Sequence, residues 1–191
     1  EFSVGLTYRP GVKWLNTKQR RIATNQDAPK FSIQHNFGIK GVLGSEYNYN
    51  FTELEIYKRF WTPSWGRIDT YIKAGAQWNC VPFPYLIVPP ANLSYIKDDN
   101  TFSLLTNMEF LNDRYASLDV SWDLNGKIFN RIPLLKKLKW REYLGVKCLW
   151  GTLTDKNNPY LEQNAGDGRL MYFPEGCYVM HNNRPYVELI A

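Results

Sequence analysis

The stretch RYASLDVSWDL, residues 114 to 124, alternates polar and apolar side chains without a break from Ala116 to Leu124. The apolar set is Ala116, Leu118, Val120, Trp122 and Leu124, and the polar set is Ser117, Asp119, Ser121 and Asp123. A strict period of two over this length predicts a β-strand whose two faces meet unlike environments. Either the apolar face covers a core and the polar face meets water, or the apolar face contacts lipid and the polar face lines a wet lumen.

The same alternation recurs along most of the chain. It is visible at residues 1–9, 30–41, 67–78, 101–111, 140–151 and 185–191. Between residues 46 and 60 the apolar parity changes, which predicts a β-bulge near Thr52. These segments make about eight strands, mostly about 9–12 residues long, whereas an ordinary globular strand has about 5 or 6. A tilted strand needs about 9–11 residues to cross a bilayer, so strand length favours a membrane-spanning sheet.

The connections between these segments are of two kinds. Residues 44–45 (GS) and 112–113 (ND) are typical of tight hairpins between antiparallel neighbours. Long connections cover roughly residues 10–30, 80–100, 126–139 and 153–185. Only residues 127–139 show a trace of helical spacing. We therefore predict an all-β fold, an antiparallel up-and-down transmembrane β-barrel or a fragment of a larger one, because barrels tolerate long outer loops.

The segment GKIFNRIPLLKKLKW, residues 126–140, mixes large apolar and basic side chains. This pattern is typical of a turn at a membrane interface, where apolar groups enter the bilayer and ammonium groups reach lipid phosphates. Trp122 and Trp140 flank the segment as an aromatic belt would. The alternative is a soluble hairpin loop that folds its leucines over a core. The predicted interface residues are Phe129, Arg131, Leu134, Leu135, Lys136, Lys137 and Trp140.

Residues that carry metal or redox chemistry are few and scattered. The three cysteines, Cys80, Cys148 and Cys177, form no CxxC pair and have no set of histidines near them, so zinc is not indicated. Cys148 falls at an apolar position of a predicted strand, where a small side chain fits. The sequence does not decide whether Cys80 and Cys177 form a disulfide. We predict neither a metal site nor a cofactor. The net charge of +5 lies mainly in connections and forms no single stripe, so nucleic acid is not an expected partner.

A catalytic site is a weaker interpretation of the remaining polar residues than an ordinary polar strand face. The chain has two histidines. His35 lies in a predicted strand at a position of the apolar face, and His181 lies in the last long loop. A hydrolase built on a barrel would have to combine one of them with an acid such as Glu109, Asp119 or Asp123. The even spacing of the last two acids is what any polar strand face shows. We therefore predict no catalytic residues.

Residues 109–151, EFLNDRYASLDVSWDLNGKIFNRIPLLKKLKWREYLGVKCLWG, resemble the late strands of a Gram-negative outer-membrane family. In that family a carboxypeptidase-regulatory-like domain precedes a C-terminal barrel, which is similar to the barrels of bacterial surface antigens and of the Omp85-like assembly proteins. FSVGLTYRPG, VPFPYLIVPPANLSY and NRPYVELIA fit the same pattern. The resemblance implies that residues 1–191 are a single β-barrel region, the C-terminal part of a larger protein with its last strands missing.

The expected function is that of an integral outer-membrane barrel, non-enzymatic, in envelope biogenesis, outer-membrane assembly or transport. Its partners would be membrane lipid, lipopolysaccharide and other envelope proteins. Two rivals remain: a soluble lipocalin-like or β-sandwich module that binds a ligand within its apolar face, and a barrel-borne hydrolase. The first rival shares the alternation, because exchanging inside for outside leaves the pattern unchanged.

Overall fold

The computed structural model describes residues 1–42, 44–96, 98, 100–164, 166–180 and 184–190. Its strands are β1 (Phe2–Tyr8), β2 (Trp14–Asn16), β3 (Arg21–Ala23), β4 (Lys30–Gly38), β5 (Tyr49–Thr62), β6 (Gly66–Gln77), β7 (Arg114–Asp123), β8 (Tyr143–Thr152) and β9 (Tyr186–Ile190). One short helix, α1 (Pro133–Leu138), and 3₁₀ turns at Phe83–Tyr85, Phe129–Arg131, Asp155–Asn157 and Glu162–Asn164 complete the elements of the described part. No helix in that part is long and apolar enough to cross a membrane.

Seven strands form one sheet in the order β1-β4-β5-β6-β7-β8-β9, and every neighbouring pair is antiparallel. The remaining two strands, β2 and β3, form a small hairpin within the connection from β1 to β4. The prediction of an all-β, antiparallel up-and-down sheet is confirmed. Within the described residues the sheet is open, since β1 pairs only with β4 and β9 only with β8.

The turn from β5 to β6 shows how the local sequence closes a hairpin. Pro63 and Ser64 occupy its tip, and the Trp65 N–H donates to the Thr62 carbonyl at 3.0 Å. Ser64 and Gly66 have φ values of 65° and 82°. Proline presets the first turn residue, and glycine adopts positive φ without steric cost, so the chain reverses within three residues. A Cβ on Gly66 would also lie 1.9 Å from the Asp123 carbonyl oxygen.

The strand predicted over residues 101–111 is wrong. This segment is irregular and makes only isolated bridges, from Phe102 to Ala91 and from Phe110 to Tyr178. Met108 has a φ of 61°, and the Thr106 N–H and hydroxyl both donate to the Glu109 carboxylate, which closes a turn in mid-segment. A positive φ at a non-glycine residue is incompatible with an extended strand.

Two local turn predictions and the predicted bulge are also wrong. Residues 44–45 lie inside a longer connection, 39–48. Residues 112–113 form no hairpin, because the segment before them is not a strand, and Asn112 makes only an isolated bridge with Ile87. The register of β5 with β4 and with β6 runs unbroken through Thr52. The parity change there reflects aromatic residues such as Phe51 on the polar face, not an extra residue in the strand.

Residues directly opposite each other in antiparallel strands point to the same side, so the register divides the sheet into two faces. One, the apolar face, carries Phe2, Val4, Leu6, Phe31, Ile33, Phe37, Leu54, Ile56, Phe60, Ile68, Ile72, Ala74, Ala116, Leu118, Val120, Trp122, Leu144, Val146, Trp150, Val187 and Leu189. The other, the polar face, carries Lys30, Gln34, Glu53, Glu55, Tyr57, Arg59, Arg67, Asp69, Tyr71, Lys73, Tyr115, Ser117, Asp119, Ser121, Asp123, Lys147, Leu149, Tyr186 and Glu188.

The buried core lies on the polar face and between the long connections that fold over it. One cluster joins Phe102, Leu105 and Met180 of the connections to Leu149 of β8, and a second joins Val81, Leu86 and Leu111. The apolar face contributes no member to either cluster. This arrangement is the inverse of an ordinary soluble sheet, which buries its apolar face.

Candidate functional site

The predicted lipid-facing residues of β7 lie together on the apolar face, with one exception. Ala116 is exposed, and Leu118, Val120 and Trp122 are half-buried by their neighbours in the sheet. Leu124 follows the last residue of β7 and is 3 % exposed, so the prediction that it shares this face is wrong. Its N–H donates to the Glu142 carbonyl, which draws the chain inward at the strand end.

Among the described residues, no element covers the apolar face of the seven strands. Val4 is 64 % exposed, Leu54 and Ile72 are each 42 % exposed, and Leu189 is 76 % exposed. Soluble proteins rarely expose a contiguous apolar patch of more than a few hundred square ångströms, so a surface of this extent marks a contact with something apolar. From Leu54 to Phe60 the face extends about 20 Å along β5 at about 3.4 Å per residue, with Lys58 as the charged residue within this span. The apolar band of a transmembrane barrel is about 25 Å tall.

Large aromatic side chains gather towards both ends of this face. Trp65 and Trp122 are in ring contact at one end, with 6.0 Å between centroids. At the other end Phe2 stacks on Phe37 at 5.6 Å, and Trp78 donates from Nε1 to the Thr52 hydroxyl at 2.9 Å. Aromatic girdles at both edges of an apolar band are typical of transmembrane barrels.

The predicted lumen-facing residues lie on the polar face, among paired charges. Arg59 donates to both carboxylate oxygens of Asp69, at 2.6 and 3.1 Å, and the Tyr57 hydroxyl donates to the same group at 2.8 Å. Arg67 Nε lies 3.5 Å from Asp69 Oδ2 and 3.6 Å from Asp123 Oδ2. Asp119 forms an ion pair with Lys147 at 3.4 Å. These charges, with Ser121 and Arg141, line a cavity of about 700 Å³.

The connection 78–113 folds onto the polar face and is held there by two buried charged residues. The carboxylate of Glu188 accepts hydrogen bonds from the N–H groups of Ser103, at 3.0 Å, and Leu104, at 3.3 Å. The Lys147 ammonium donates to the Thr101 carbonyl at 2.7 Å. A hydrogen bond to a charged group is stronger than a neutral one, so this clamp fixes residues 101–104 against β8 and β9.

A second buried network ties the two long connections to each other. Asp113, fully buried, accepts from the Thr154 N–H at 3.0 Å, from its hydroxyl, and from Asn157 Nδ2 at 2.9 Å. Asn157 in turn accepts from the Val81 N–H at 3.0 Å. Sequence reasoning missed Asp113, Asn157 and Glu188, because single polar residues in loops or at strand ends carry no periodic signal.

Two glycines make room for this packing on the polar face. A Cβ on Gly75 would lie 2.5 Å from the Tyr115 ring, and one on Gly151 would lie 2.3 Å from Asn112 Nδ2. Tyr115 reaches across Gly75 to donate its hydroxyl proton to Glu53. The close approach of a neighbouring side chain explains glycine in mid-strand.

The predicted interface turn contains α1 and exposes both its apolar and its basic residues. Leu134 is 75 % exposed and Lys136 and Lys137 are exposed beside it, whereas Leu135 is half-buried. Phe129 packs edge-on against Trp140 at 6.3 Å between centroids. Arg131 ends the 3₁₀ turn that precedes α1 and is exposed. The alternative interpretation, in which these leucines fold back over a core, is contradicted for Leu134.

The residues considered for catalysis are not brought together. His35 lies on the apolar face with its Nδ1 2.9 Å from the Thr52 hydroxyl, whereas Asp119 and Asp123 lie on the opposite face. Glu109 is used in its own turn with Thr106. His181 lies outside the described residues. Among those that are described, no three His, Cys, Asp or Glu side chains are grouped as metal ligands.

The three cysteines are free thiols, so the Cys80–Cys177 disulfide left open by the sequence is not formed. The Cys80 thiol donates to the Lys156 carbonyl at 3.3 Å. Its partial burial raises the thiol pKa, because desolvation disfavours the thiolate. Cys177 packs against the cluster of Val81, Leu86 and Leu111.

Comparisons with known proteins give one family and no individual relative. No curated protein and no solved structure matches the chain. The resemblance to Omp85-like barrels and to a carboxypeptidase-regulatory-like family is not among the matches and stays a prediction. Residues 1–166 match the model described as the C-terminal domain of a family of unknown function, DUF5686. Since this match covers most of the 191 residues, the chain belongs to the DUF5686 C-terminal domain family.

Proposed function

We propose that this chain forms part of an integral β-barrel in the outer membrane of a Gram-negative bacterium. Its role would be non-enzymatic, in envelope biogenesis, outer-membrane assembly or transport. The apolar face would contact acyl chains, and the polar face, with its paired charges and folded connections, would line the interior. Lipid, lipopolysaccharide and other envelope proteins would be the partners.

One observation carries the proposal: the apolar face of a seven-stranded sheet is bare while the core lies on the polar face. At about 25 cal/mol per Å² of apolar surface, leaving such a face in water costs tens of kcal/mol for a large sheet, far more than a domain's net stability. A bilayer removes this cost, because acyl chains are as apolar as the side chains they meet.

The rival soluble module requires the opposite arrangement. A lipocalin-like barrel or a sandwich turns its apolar side chains inward, where they surround a ligand or a second sheet. Here the connections 78–113 and 153–185 cover the polar side, so no described element encloses the apolar residues. The rival hydrolase would need a histidine beside an acid, and His35 and Asp119 lie on opposite faces.

Gel mobility of the detergent-extracted protein, boiled against unboiled, tests the proposal. We expect the unboiled sample to migrate differently from the boiled one, because a barrel that includes this sheet would resist denaturation by the gel detergent until it is heated. We also expect precipitation when detergent is removed, because the apolar face would then meet water. A chain that is monomeric in plain buffer and shows no mobility shift would contradict the proposal.

A further inference from the structure

The connections at the two ends of the sheet carry opposite net charge. Because neighbouring strands are antiparallel, successive connections lie at alternating ends. The basic end consists of residues 9–29, 63–65 and 124–142, and the acidic end of residues 39–48, 78–113 and 153–185. The basic end has eleven Lys or Arg against two acidic residues. The described residues of the acidic end have four Lys or Arg against eight acidic residues.

At the basic end the cations begin where the apolar face stops. Trp122 is the last apolar-face residue of β7, and its Nε1 donates to the Trp65 carbonyl at 2.8 Å. The Lys127 ammonium lies 4.1 Å from the centroid of the Trp65 ring. In membrane proteins, a tryptophan at the edge of the apolar band is typically found at the level of the lipid headgroups, where a cation can lie over its ring.

The helix α1 adds an amphipathic group to this end. Leu134 and Leu138 are 75 % and 52 % exposed, while Lys136 and Lys137 lie between them in sequence and are also exposed. Within the part of the chain that the structure describes, neither lysine has an ion-pair partner. Exposed cations beside exposed leucines are matched by a surface that offers anions above acyl chains.

We propose that the basic end binds the phosphates of anionic glycerophospholipids in the periplasmic leaflet. The inference rests on the proposed outer-membrane location and adds the orientation and the headgroup. In outer-membrane barrels the longer loops are extracellular and the shorter turns periplasmic. The two longest connections, 78–113 and 153–185, both belong to the acidic end. The basic end then meets the leaflet made of glycerophospholipids, and clustered lysines bind their negative headgroups.

The test measures lipid binding by the full chain in zwitterionic detergent micelles. Phosphatidylglycerol, phosphatidylcholine, lipopolysaccharide and inorganic phosphate are titrated separately, and binding is followed by native mass spectrometry. We expect phosphatidylglycerol to bind at least about tenfold more tightly than phosphatidylcholine, because several cations face its charge. Equal binding of these two lipids, a preference for lipopolysaccharide, or equal binding of free phosphate would overturn the proposal.

A pair of matched variants locates the site. Lys136→Gln with Lys137→Gln removes two cations of the basic end and should weaken phosphatidylglycerol binding about 10- to 30-fold, the loss expected for two cations at an anionic surface. Lys40→Gln with Arg184→Gln removes two exposed cations of the acidic end and should change it less than about twofold. Equal losses in both variants would refute the assignment to the basic end.

The same preparations separate this inference from the proposed function. A protein that keeps its heat-dependent gel shift and its need for detergent, yet binds both phospholipids equally, refutes the headgroup inference alone. A protein that is soluble without detergent refutes both.

Discussion

Replacing Val120 by arginine is the sharpest test of the proposal that the apolar face contacts lipid. Val120 lies in β7 opposite Thr70 and Val146, within the apolar face. At about 3.4 Å per residue it is about 7 Å along the strand from Trp122 and about 14 Å from Ala116. With a strand tilt of about 40°, its depth below the aromatic edge is about 5 Å.

The expected cost follows from that depth. Arginine at the midplane of a barrel's lipid face destabilises by about 2–4 kcal/mol, and the cost falls to about 0–1 near the interface. Val120 is nearer one edge and a long guanidinium reaches towards the headgroups, so we expect about 2 kcal/mol for Val120→Arg. If the same face met water, an exposed substitution would change stability by about 0.5 kcal/mol or less.

Ser121→Arg is the matched control, one residue along the same strand. Ser121 is exposed and lines the cavity of about 700 Å³ on the polar face, so a guanidinium added there has open space and polar neighbours around it. The free energy of unfolding of both variants is measured by urea titration in phosphocholine vesicles, with tryptophan fluorescence as the signal. A Val120→Arg cost below about 0.5 kcal/mol, or an equal cost for Ser121→Arg, would refute the facing assignment.

Three further predictions concern the folded connections. Glu188→Ala should remove the buried carboxylate that accepts from the Ser103 and Leu104 N–H groups, destabilise by about 2–3 kcal/mol and make the connection 78–113 more sensitive to protease, whereas Glu188→Gln should retain most of the protection. Asp113→Ala should cost about 2–4 kcal/mol in the same urea titration, since buried donors, including Asn157 Nδ2, lose their acceptor; an unchanged midpoint would contradict the network. The hydrogen bonds from Arg169 lower the pKa of Asp167 to about 2, because they favour the carboxylate, so Arg169→Gln should raise that pKa towards its ordinary value in an NMR titration.

The face assignment of β7 could be read from the sequence, because it depends only on side-chain alternation. Ala116, Leu118, Val120 and Trp122 share one face and Ser117, Asp119, Ser121 and Asp123 the other, as predicted. Local periodicity fails at Leu124, where the strand has already ended and a hydrogen bond to Glu142 turns the chain inward. The parity rule holds only while the backbone stays extended.

Residues 101–111 show why the sheet could not be counted from the sequence. The segment alternates like a strand, yet Phe102 and Leu105 are buried against Leu149 of the polar face and against Met180 of another connection. Leu149 and Met180 are far from this segment in sequence, so no local pattern indicates that they pack against it. Polar anchors such as Glu188 and Asp113 are missed for the same reason, since a lone buried carboxylate is recognised only by the donors that surround it.

The sequence predicts an antiparallel sheet with one apolar and one polar face, because alternation with period two is a property of neighbouring residues. It left open which face is covered. Tertiary packing folds the described connections over the polar face and leaves the apolar face exposed. It also determines at which end of the sheet each charged connection lies. Because residues 101–111 are not a strand, every later connection lies at the end opposite to the predicted one, and residues 9–29 and 124–142 share an end. That outcome depends on strand pairing across the whole chain, which no local pattern encodes.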